Sequence, residues 1–507
     1  MTNRRVRLPA AEGMFCPECG NDRMLPQRVK AESGKTRYRC SKCGFRTTAP
    51  LNKPPAPALP KPKVTKIKKH KRYIITSAVN DTPIVEDAFL GLLQMAKELD
   101  ACVLVIPGVY KNPDLKHQGI AHTYSWPAEV LPYTVDADVE LCPTLVVRGK
   151  MRIQYTALRP LSGMNHAGDC RSEIFGHPQV AMQLVASAKL DAPKMLRTTG
   201  SISVKHYSSS KQGQQAEFHH KIGAVFVETS GKRFWSTELS YDGTGFSLYD
   251  RYFTARGERK APAAEAIVYG DTHVRFLTDK TRELLEHAAS RLRPKLEVFH
   301  DLHDHHIGSH HSDKDVLFKM AKSKTRELFI RDELMMSVEF LRAKKNPVVV
   351  TSNHDEHLTQ WFNRFKPQGG DVANLDLYYE LAALARSRDD KNLFKLFVEQ
   401  HLSHVTFTDR NKTFDVAGID CSQHGDKGPN GARGSALGFA RTGHKTVIGH
   451  SHTPQIEKGC YQVGTSATDM EYAQGYSSWA NAHCIIYSNG KRGMLFLIDD
   501  LLPPILR

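Results

Sequence analysis

The sequence Ile267-Val-Tyr-Gly-Asp-Thr-His273 joins a short apolar run directly to an aspartate and a histidine. The same arrangement occurs four more times, in Leu296-Glu-Val-Phe-His-Asp-Leu-His-Asp304, Val348-Val-Val-Thr-Ser-Asn-His-Asp355, Ala417-Gly-Ile-Asp-Cys-Ser-Gln-His424 and Thr446-Val-Ile-Gly-His-Ser-His452. The strands of an α/β sheet deliver the residues that follow them to one edge, so we expect these polar side chains to converge there. The pattern therefore predicts an α/β fold with a polar site at that edge.

The order of these motifs, D-x-H, D-L-x-D, N-H-D, H-G and G-H-x-H, resembles that of the calcineurin-like metallophosphoesterases over residues 262–500. Any one motif is weak, but five in order, each after a β-type run, argue against coincidence. For residues 262–507 the resemblance implies a β-sandwich flanked by helices. The protein phosphatases carry an arginine at two positions where this chain has His305 and Thr351, which argues against that branch. The spacing is more similar to that of the DNA-repair exonucleases and the bacteriophage host-DNA-degradation nucleases.

The resemblance implies a site for two divalent metals. It assigns one metal to Asp271, His273 and His452, a bridging position to Asp301, and the second metal to Asn353, His424 and His450. Mixed imidazole, carboxylate and amide ligands suit Mn²⁺, our first choice, with Zn²⁺, Fe and Mg²⁺ as alternatives. Two cations can stabilise charge on both the attacking and the leaving oxygen of a phosphodiester.

The resemblance also implies catalytic residues at the same site. His354 is the candidate proton donor to the leaving oxygen, and Asp355 is the candidate for orienting His354. Asp304 is expected to support its loop rather than to bind metal. Lys427 and Arg433 are candidates for contacts with substrate phosphate, although an ordinary surface loop accounts for them equally well.

Two departures from the family pattern stand beside the predicted ligands. His300 and Ser352 occupy positions where the family usually has glycine, which suits the tight turns at strand ends. His300 therefore weakens the match slightly.

Residues 14–47 contain two C-x-x-C pairs, Cys16 with Cys19 and Cys40 with Cys43, separated by 20 residues. Four thiolates at this spacing can surround one zinc ion, and the glycine after each pair suits a tight turn. The pattern resembles a zinc ribbon, which we assign to residues 1–48. A redox C-x-x-C is the rival interpretation, but it needs only one pair and a βαβ context.

The net charge of +16 is concentrated near the N-terminus. Residues 1–72 hold 19 Lys and Arg against four acidic side chains, a net charge of +15, and the rest of the chain carries +1. Such a localised positive field attracts polyanions, which makes DNA the expected partner. Residues 49–72 are predicted to be a proline- and lysine-rich basic linker, either an arm that contacts phosphates or a solvated tether.

Residues 73–260 are predicted to form a smaller α/β region that becomes β-rich and opens with a βαβ-like unit; its role is not predicted. A homo-oligomer is possible in principle, but no residue of this region indicates a subunit contact.

No apolar run approaches the roughly 18 residues of a membrane span. The charged start of the chain lacks the apolar segment of a secretory signal, which favours a cytoplasmic location, the host cytoplasm for a phage protein.

Three functions follow from these features. The first is a metal-dependent DNase whose basic N-terminal segment captures DNA. The second is a phosphatase or phosphodiesterase acting on small molecules or cyclic nucleotides, which leaves the basic segment without a role. The third is a non-catalytic DNA-binding scaffold, against which His354 and Asp355 argue, because neither is needed merely to hold metal. Endonuclease or exonuclease action, strand preference, the physiological metal and the oligomeric state are not predicted.

Overall fold

A computed structural model describes residues 14, 16, 21, 24–27, 37–43, 46–47 and 70–507, except 167–169, 189–191, 309–314, 326, 370, 389, 468–469 and 471–474. The chain divides into two compact units, Met1–Thr65 and Lys66–Arg507. Cys19 and residues 49–69 of the predicted linker lie outside the described residues. Within the described ranges, no helix combines the length and apolar character that a bilayer crossing requires.

The first unit contains a small antiparallel sheet formed by β1 (Met24–Gln27), β2 (Arg37–Cys40) and β3 (Arg46–Thr47). Its register pairs Met24 with Cys40. These two side chains and Cys16 are buried together, which is a very small core. A segment this short cannot bury enough apolar surface to fold alone, so a metal site would add needed stability.

The strands of the second unit follow in chain order: β4 Arg72–Val79, β5 Ala101–Gly108, β6 Val139–Cys142, β7 Leu145–Arg148, β8 Ser172–Phe175, β9 Ala181–Val185, β10 Lys194–Thr198, β11 Gly223–Ser230, β12 Arg233–Ser240, β13 Gly245–Leu248, β14 Arg251–Thr254, β15 Gly257–Lys260, β16 Ala266–Tyr269, β17 Leu296–Phe299, β18 Pro347–Val349, β19 Thr406–Phe407, β20 Asp415–Val416, β21 Ile419–Asp420, β22 Thr446–Ile448, β23 Gln455–Glu457, β24 Cys460–Gln462, β25 Ala482–Ile486 and β26 Arg492–Phe496. Its helices are α1 Glu86–Leu99, α2 Pro113–His117, α3 Lys211–His219, α4 Asp279–Leu292, α5 Val316–Lys324, α6 Ile330–Arg342, α7 Asn353–Arg364, α8 Leu375–Ser387, α9 Leu393–His401 and α10 Ala436–Ala440. The prediction of a mixed α/β fold is confirmed.

A six-stranded sheet in the order β19-β18-β17-β16-β25-β26 lies at the centre of this unit. Strands β16 to β19 run parallel to one another, whereas β25 is antiparallel to β16 and β26 is antiparallel to β25. Side chains of β16 alternate: Ile267 and Tyr269 join the core beneath the helices, and Val268 joins a second core. This sheet is therefore buried on both faces, as parallel sheets usually are.

The second core lies between the six-stranded sheet and a ten-stranded sheet in the order β20-β21-β22-β24-β23-β9-β10-β8-β7-β6. Val268 and Val298 from one sheet share this core with Val447 and Ile456 from the other. The two sheets thus pack face to face, with helices on the outer side of the smaller sheet.

The ten-stranded sheet also joins two segments that were predicted to be separate, with a boundary at residues 260–262. Strand β9 pairs with β23 through Gln183 and Gln455. The remaining strands of the earlier segment form a four-stranded sheet, β12-β11-β4-β5, and a three-stranded sheet, β13-β14-β15. Strands β4 and β5 are parallel and flank α1, which confirms the βαβ opening.

Arg72 belongs to this unit and not to the linker that was predicted to end there. It is the first residue of β4, and its Nε donates a hydrogen bond to Oε1 of Glu228 at 2.7 Å. The sequence could not show this pairing, because the two residues are 156 positions apart.

Candidate metal centre

Three of the predicted ligands follow the carboxyl ends of neighbouring parallel strands. Asp271 lies just after β16, Asp301 just after β17, and Asn353 after β18, where it is the first residue of α7. Because these strands are parallel and adjacent, their ends bring the three side chains to one edge of the six-stranded sheet. This part of the site follows directly from strand order.

The predicted histidine ligands of the C-terminal half come from the ten-stranded sheet. His424 follows β21, and His450 and His452 follow β22, which is parallel to β21. A hydrogen bond connects the ends of the two sheets here: the backbone N–H of His450 donates to Oδ1 of Asp271 at 3.1 Å. The site therefore lies where the two sheets of the sandwich meet.

The predicted ligand atoms converge in overlapping groups. Within each group, one ligand atom from every residue lies within 4.8 Å of the others; the groups are Asp271, His273, Asp301 and His452; Asp301, His424 and His450; and Asp271, His300 and His424. Asp301 belongs to the first two groups, which is the arrangement expected of a residue between two metals. Asn353 also lies at this edge, and its side chain is half-buried.

Four of these residues have backbone conformations that residues other than glycine rarely adopt. The φ angles are 40° at His273, 38° at Asp301, 76° at His450 and 58° at His452. Each such residue costs free energy of about 1–3 kcal/mol, and such strain is concentrated at functional sites in proteins. The surrounding fold therefore holds these side chains in place against a local conformational preference.

Several polar atoms in the centre face one another closely or have no hydrogen-bond partner among the described residues, as expected of atoms that bind a cation. Nε2 of His273 and Nε2 of His452 face each other at 3.2 Å, and Nε2 of His452 lies 3.0 Å from Oδ2 of Asp271. Oδ1 of Asp301 and Oδ1 of Asn353 are buried with no hydrogen-bond partner among the described residues. Buried carboxylate and amide oxygens of this kind are satisfied when they ligate a metal.

The carboxylates stay ionised despite their burial. Burial alone would raise the pKa of Asp301, but the imidazoles of His424 and His354 hold that pKa well below its usual range. Burial likewise disfavours the charged form of His424, yet the Asp301 carboxylate, 3.0 Å from its Nε2, raises the pKa of His424 to about 9. The site therefore attracts positive charge strongly, and a divalent cation would supply it.

Asp304 has a role beyond the support of its loop that was predicted for it. Its Oδ1 lies 2.8 Å from Nδ1 of His273, whose Nε2 lies 3.2 Å from Nε2 of His452. Its backbone oxygen lies 2.7 Å from Nδ1 of His354. Carboxylates that orient ligand histidines in this way tune metal sites in many proteins. The signal was available, since Asp304 is the second acid of its motif.

The predicted role of Asp355 as the residue that orients His354 is wrong. Asp355 forms a capping box with Ser352, the N-cap of α7: the backbone N–H of Ser352 donates to Oδ2 of Asp355 at 3.1 Å. Adjacent residues of a helix project about 100° apart and do not face each other. His354 is oriented instead by Asp304, from the neighbouring loop.

His300 also lies at the centre, although the sequence predicted no ligand role for it. It is fully buried, and its Nδ1 lies 3.3 Å from Nδ1 of His424, in one group with Asp271. The space for its ring exists because Gly449 passes close by: a Cβ on Gly449 would lie 2.3 Å from Oδ1 of Asp271 and 2.9 Å from Cγ of His300. The fold thus accommodates a histidine at residue 300 and leaves room only for a glycine at residue 449.

Substitution Gly449→Ala is expected to destabilise the protein by about 1–3 kcal/mol and to weaken metal binding, because the added methyl group displaces the Asp271 carboxylate. Thermal unfolding with and without Mn²⁺ and the metal content of the purified protein measure the two effects. Gly91→Ala is the matched control, since its Cβ would meet nothing closer than a Phe246 ring atom at 3.4 Å and alanine favours a helix interior. Equal behaviour of the two variants would contradict the close packing at residue 449.

The candidate phosphate contacts lie at the surface near α7. Lys427 is exposed, and its Nζ lies 2.6 Å from Oε1 of Glu356 in that helix. Arg433 is also exposed and pairs with Lys427 through an isolated β-bridge. The Lys427 charge is therefore already partly balanced, and contact with phosphate stays a prediction for both residues.

The predicted zinc site is described for three of its four cysteines. The Sγ atoms of Cys16, Cys40 and Cys43 lie within 4.8 Å of one another, with Cys16 and Cys43 3.7 Å apart. The backbone N–H groups of Lys42 and Cys43 donate to Sγ of Cys40 at 3.3 and 3.5 Å. Donors of this kind stabilise a thiolate, and thiolate is the form that binds zinc.

Comparison with known proteins gives one informative similarity. The chain is 28% identical over 470 residues to Protein A1 of Escherichia phage T5, an alignment that covers 85% of this chain and 82% of that protein. No family model matches the chain, and no solved structure matches it. The similarity extends over most of both chains and is consistent with a phage origin.

Proposed function

We propose that this protein is a metal-dependent nuclease that hydrolyses phosphodiester bonds in DNA at a dinuclear metal centre, in the cytoplasm of a host cell. The observation that carries the proposal is the pair of ligand groups that share the buried residue Asp301 where the two sheets meet. Metals bound there would supply positive charge to the phosphate and an activated water. The motifs that resemble those of metallophosphoesterases lie at these same positions.

The chain supplies a proton donor beside the ligand groups. His354 is at the start of α7, and its Nε2 lies 3.8 Å from Oδ2 of Asp301. The Asp304 carbonyl oxygen accepts from Nδ1–H, so in the protonated imidazole the second proton resides on Nε2, on the side of the ligand groups. A leaving oxygen bound next to Asp301 would be within reach of that proton.

The basic N-terminal segment supports DNA as the substrate. A net charge of +15 within residues 1–72 favours a long polyanion over a small ester. Three clustered cysteines in the first unit support a small zinc-stabilised fold that would carry part of this charge.

The direct test incubates linear and circular DNA with the protein in Mn²⁺, Mg²⁺ or Zn²⁺. Cleavage that requires one of these metals and stops on chelation supports the proposal. Hydrolysis of small phosphate esters without DNA cleavage would favour the phosphatase or phosphodiesterase alternative. DNA binding without hydrolysis of either substrate, in protein shown to contain metal, would favour the scaffold.

Removal of residues 1–69 is expected to weaken DNA binding and to flatten its dependence on salt. Each DNA phosphate that the shortened protein no longer neutralises should reduce the slope of log affinity against log salt by about 0.9. Hydrolysis of a small diester should be retained, because the deletion ends before β4 and leaves the metal centre intact. Binding titrations at several salt concentrations measure the slope, and an unchanged slope would contradict the capture role.

A further inference from the structure

The Lys66–Arg507 unit contains a cavity of about 430 Å³ lined by basic side chains. We call it the lysine pocket and define it by Lys205, Lys221, Lys445, Lys458, Lys491 and Arg492. Its walls come from three sheets: the starts of β22 and β24, the turn before β26, and the start of β11. No aspartate or glutamate is among the described residues that line it.

Tight turns fix two of the lysines. Lys458 lies in the two-residue turn between β23 and β24 and has a φ of 56°. Lys491 closes the turn between β25 and β26, where its carbonyl oxygen accepts from the backbone N–H of Tyr487 at 2.9 Å. Arg492 is also held in place, because its Nη1 donates hydrogen bonds to the carbonyl oxygens of Thr446 and Gly459 at 2.8 and 2.9 Å. The backbone at Lys458 and Lys491 and the side chain of Arg492 are therefore held in place.

No acid lines the described part of the lysine pocket, and the acids that act electrostatically on its cations include Glu457, which acts on Lys458, and Asp242, which acts on Lys491. Lys221 is exposed at the surface, but partial desolvation of its ammonium group and the neighbouring cations Lys491 and Lys445 lower its pKa to about 8. Asp242 is also engaged elsewhere, because it accepts hydrogen bonds from the backbone N–H groups of Thr244 and Gly245. Like charges held this close together repel one another unless an anion joins them.

The lysine pocket lies away from the metal centre. Lys445 immediately precedes β22, whereas the predicted ligand His450 follows its far end. A three-residue strand separates the two positions by about 10 Å. An anion in the pocket would therefore not be the phosphate that is cleaved.

We propose that the lysine pocket is a second binding site for the phosphate of a nucleotide, either free or within a DNA strand. Lysine ammonium groups bind phosphate through charge-assisted hydrogen bonds, and the cavity volume is in the range of small-molecule sites. Phe218, which is 71% exposed on the pocket rim, provides a face on which a base can stack. This inference does not depend on the metal centre being catalytic.

The test measures binding to the full chain without added divalent metal, so that no probe is cleaved. Pyrophosphate and deoxyadenosine monophosphate are titrated by calorimetry, and a short fluorescein-labelled single strand is titrated by anisotropy. Lys221→Gln/Lys491→Gln should weaken binding of at least one probe by about tenfold or more. Lys205→Gln/Lys445→Gln should weaken binding by a similar factor. Both lysines are exposed, so this variant is expected to fold normally, and its loss of binding could not be attributed to misfolding.

Lys97→Gln/Lys260→Gln is the matched control, because it removes the same charge from exposed positions that do not line the pocket. It should bind all probes like the unmodified protein, and Lys221→Arg/Lys491→Arg should retain binding. Loss confined to the mononucleotide identifies a free nucleotide as the ligand, and loss confined to the strand identifies DNA. The proposal is overturned if the unmodified protein binds no probe, or if both pocket variants bind as the control does.

Discussion

Replacement of His354 by alanine is expected to slow DNA cleavage by about 10²–10⁴-fold, the usual contribution of a general acid, without loss of metal. The imidazole lies beside the ligand groups, with its Nδ1 held 2.7 Å from the Asp304 carbonyl oxygen. Its removal takes away the proton donor but none of the predicted ligands. Initial rates on plasmid DNA measure the loss of cleavage, and elemental analysis of the variant shows whether metal is retained.

A comparison of two substrates separates proton donation from a general loss of structure. Bis(p-nitrophenyl) phosphate releases a stable phenolate that needs no proton, so the variant should lose much less activity on this ester than on DNA. His401→Ala is the matched control, since His401 is also half-buried and also has Nδ1 near a backbone oxygen, that of Phe397 at 2.9 Å. Equal losses on both substrates would refute the role of His354 as the acid.

Asp301→Asn is expected to lose metal and, with it, activity on both DNA and small esters. Asp301 is the residue shared by the ligand group of Asp271, His273 and His452 and the group of His424 and His450. A neutral amide provides a weaker ligand and no compensating charge, so metal affinity should fall by more than the roughly 10–100-fold seen when partners of ligands are changed. Elemental analysis and cleavage rates across a Mn²⁺ titration measure the loss.

Asp355→Asn is the control for this substitution. Asp355 is equally buried, but its carboxylate caps α7 and belongs to none of the ligand groups. Its replacement should reduce stability by about 1 kcal/mol, a typical value for a capping residue, while metal is retained. If Asp301→Asn retained both metals and Asp355→Asn lost them, the assignment of the centre would be wrong.

The periodic pattern of the chain predicted that polar residues would meet at a sheet edge, whereas the choice of ligands among them came from the resemblance. Apolar runs ending in Asp, Asn or His predict strands whose polar ends lie at one sheet edge, and parallel pairing of β16, β17 and β18 brings those ends together. The mixed α/β class follows from the same local signal. Each of these inferences depends on residues close in sequence, but the meeting of His424, His450 and His452 with this edge depends on a second sheet.

Contacts between distant residues could not be read in this way. The partner of His354 proved to be Asp304 and not the adjacent Asp355, because the helical turn at Ser352 directs neighbouring side chains apart. The lysine pocket, likewise, assembles cations from positions 205 to 492 that show no pattern along the chain. Local periodicity specifies strands and their polar ends, whereas the packing of one sheet against another decides which of those ends touch, and packing depends on the whole fold.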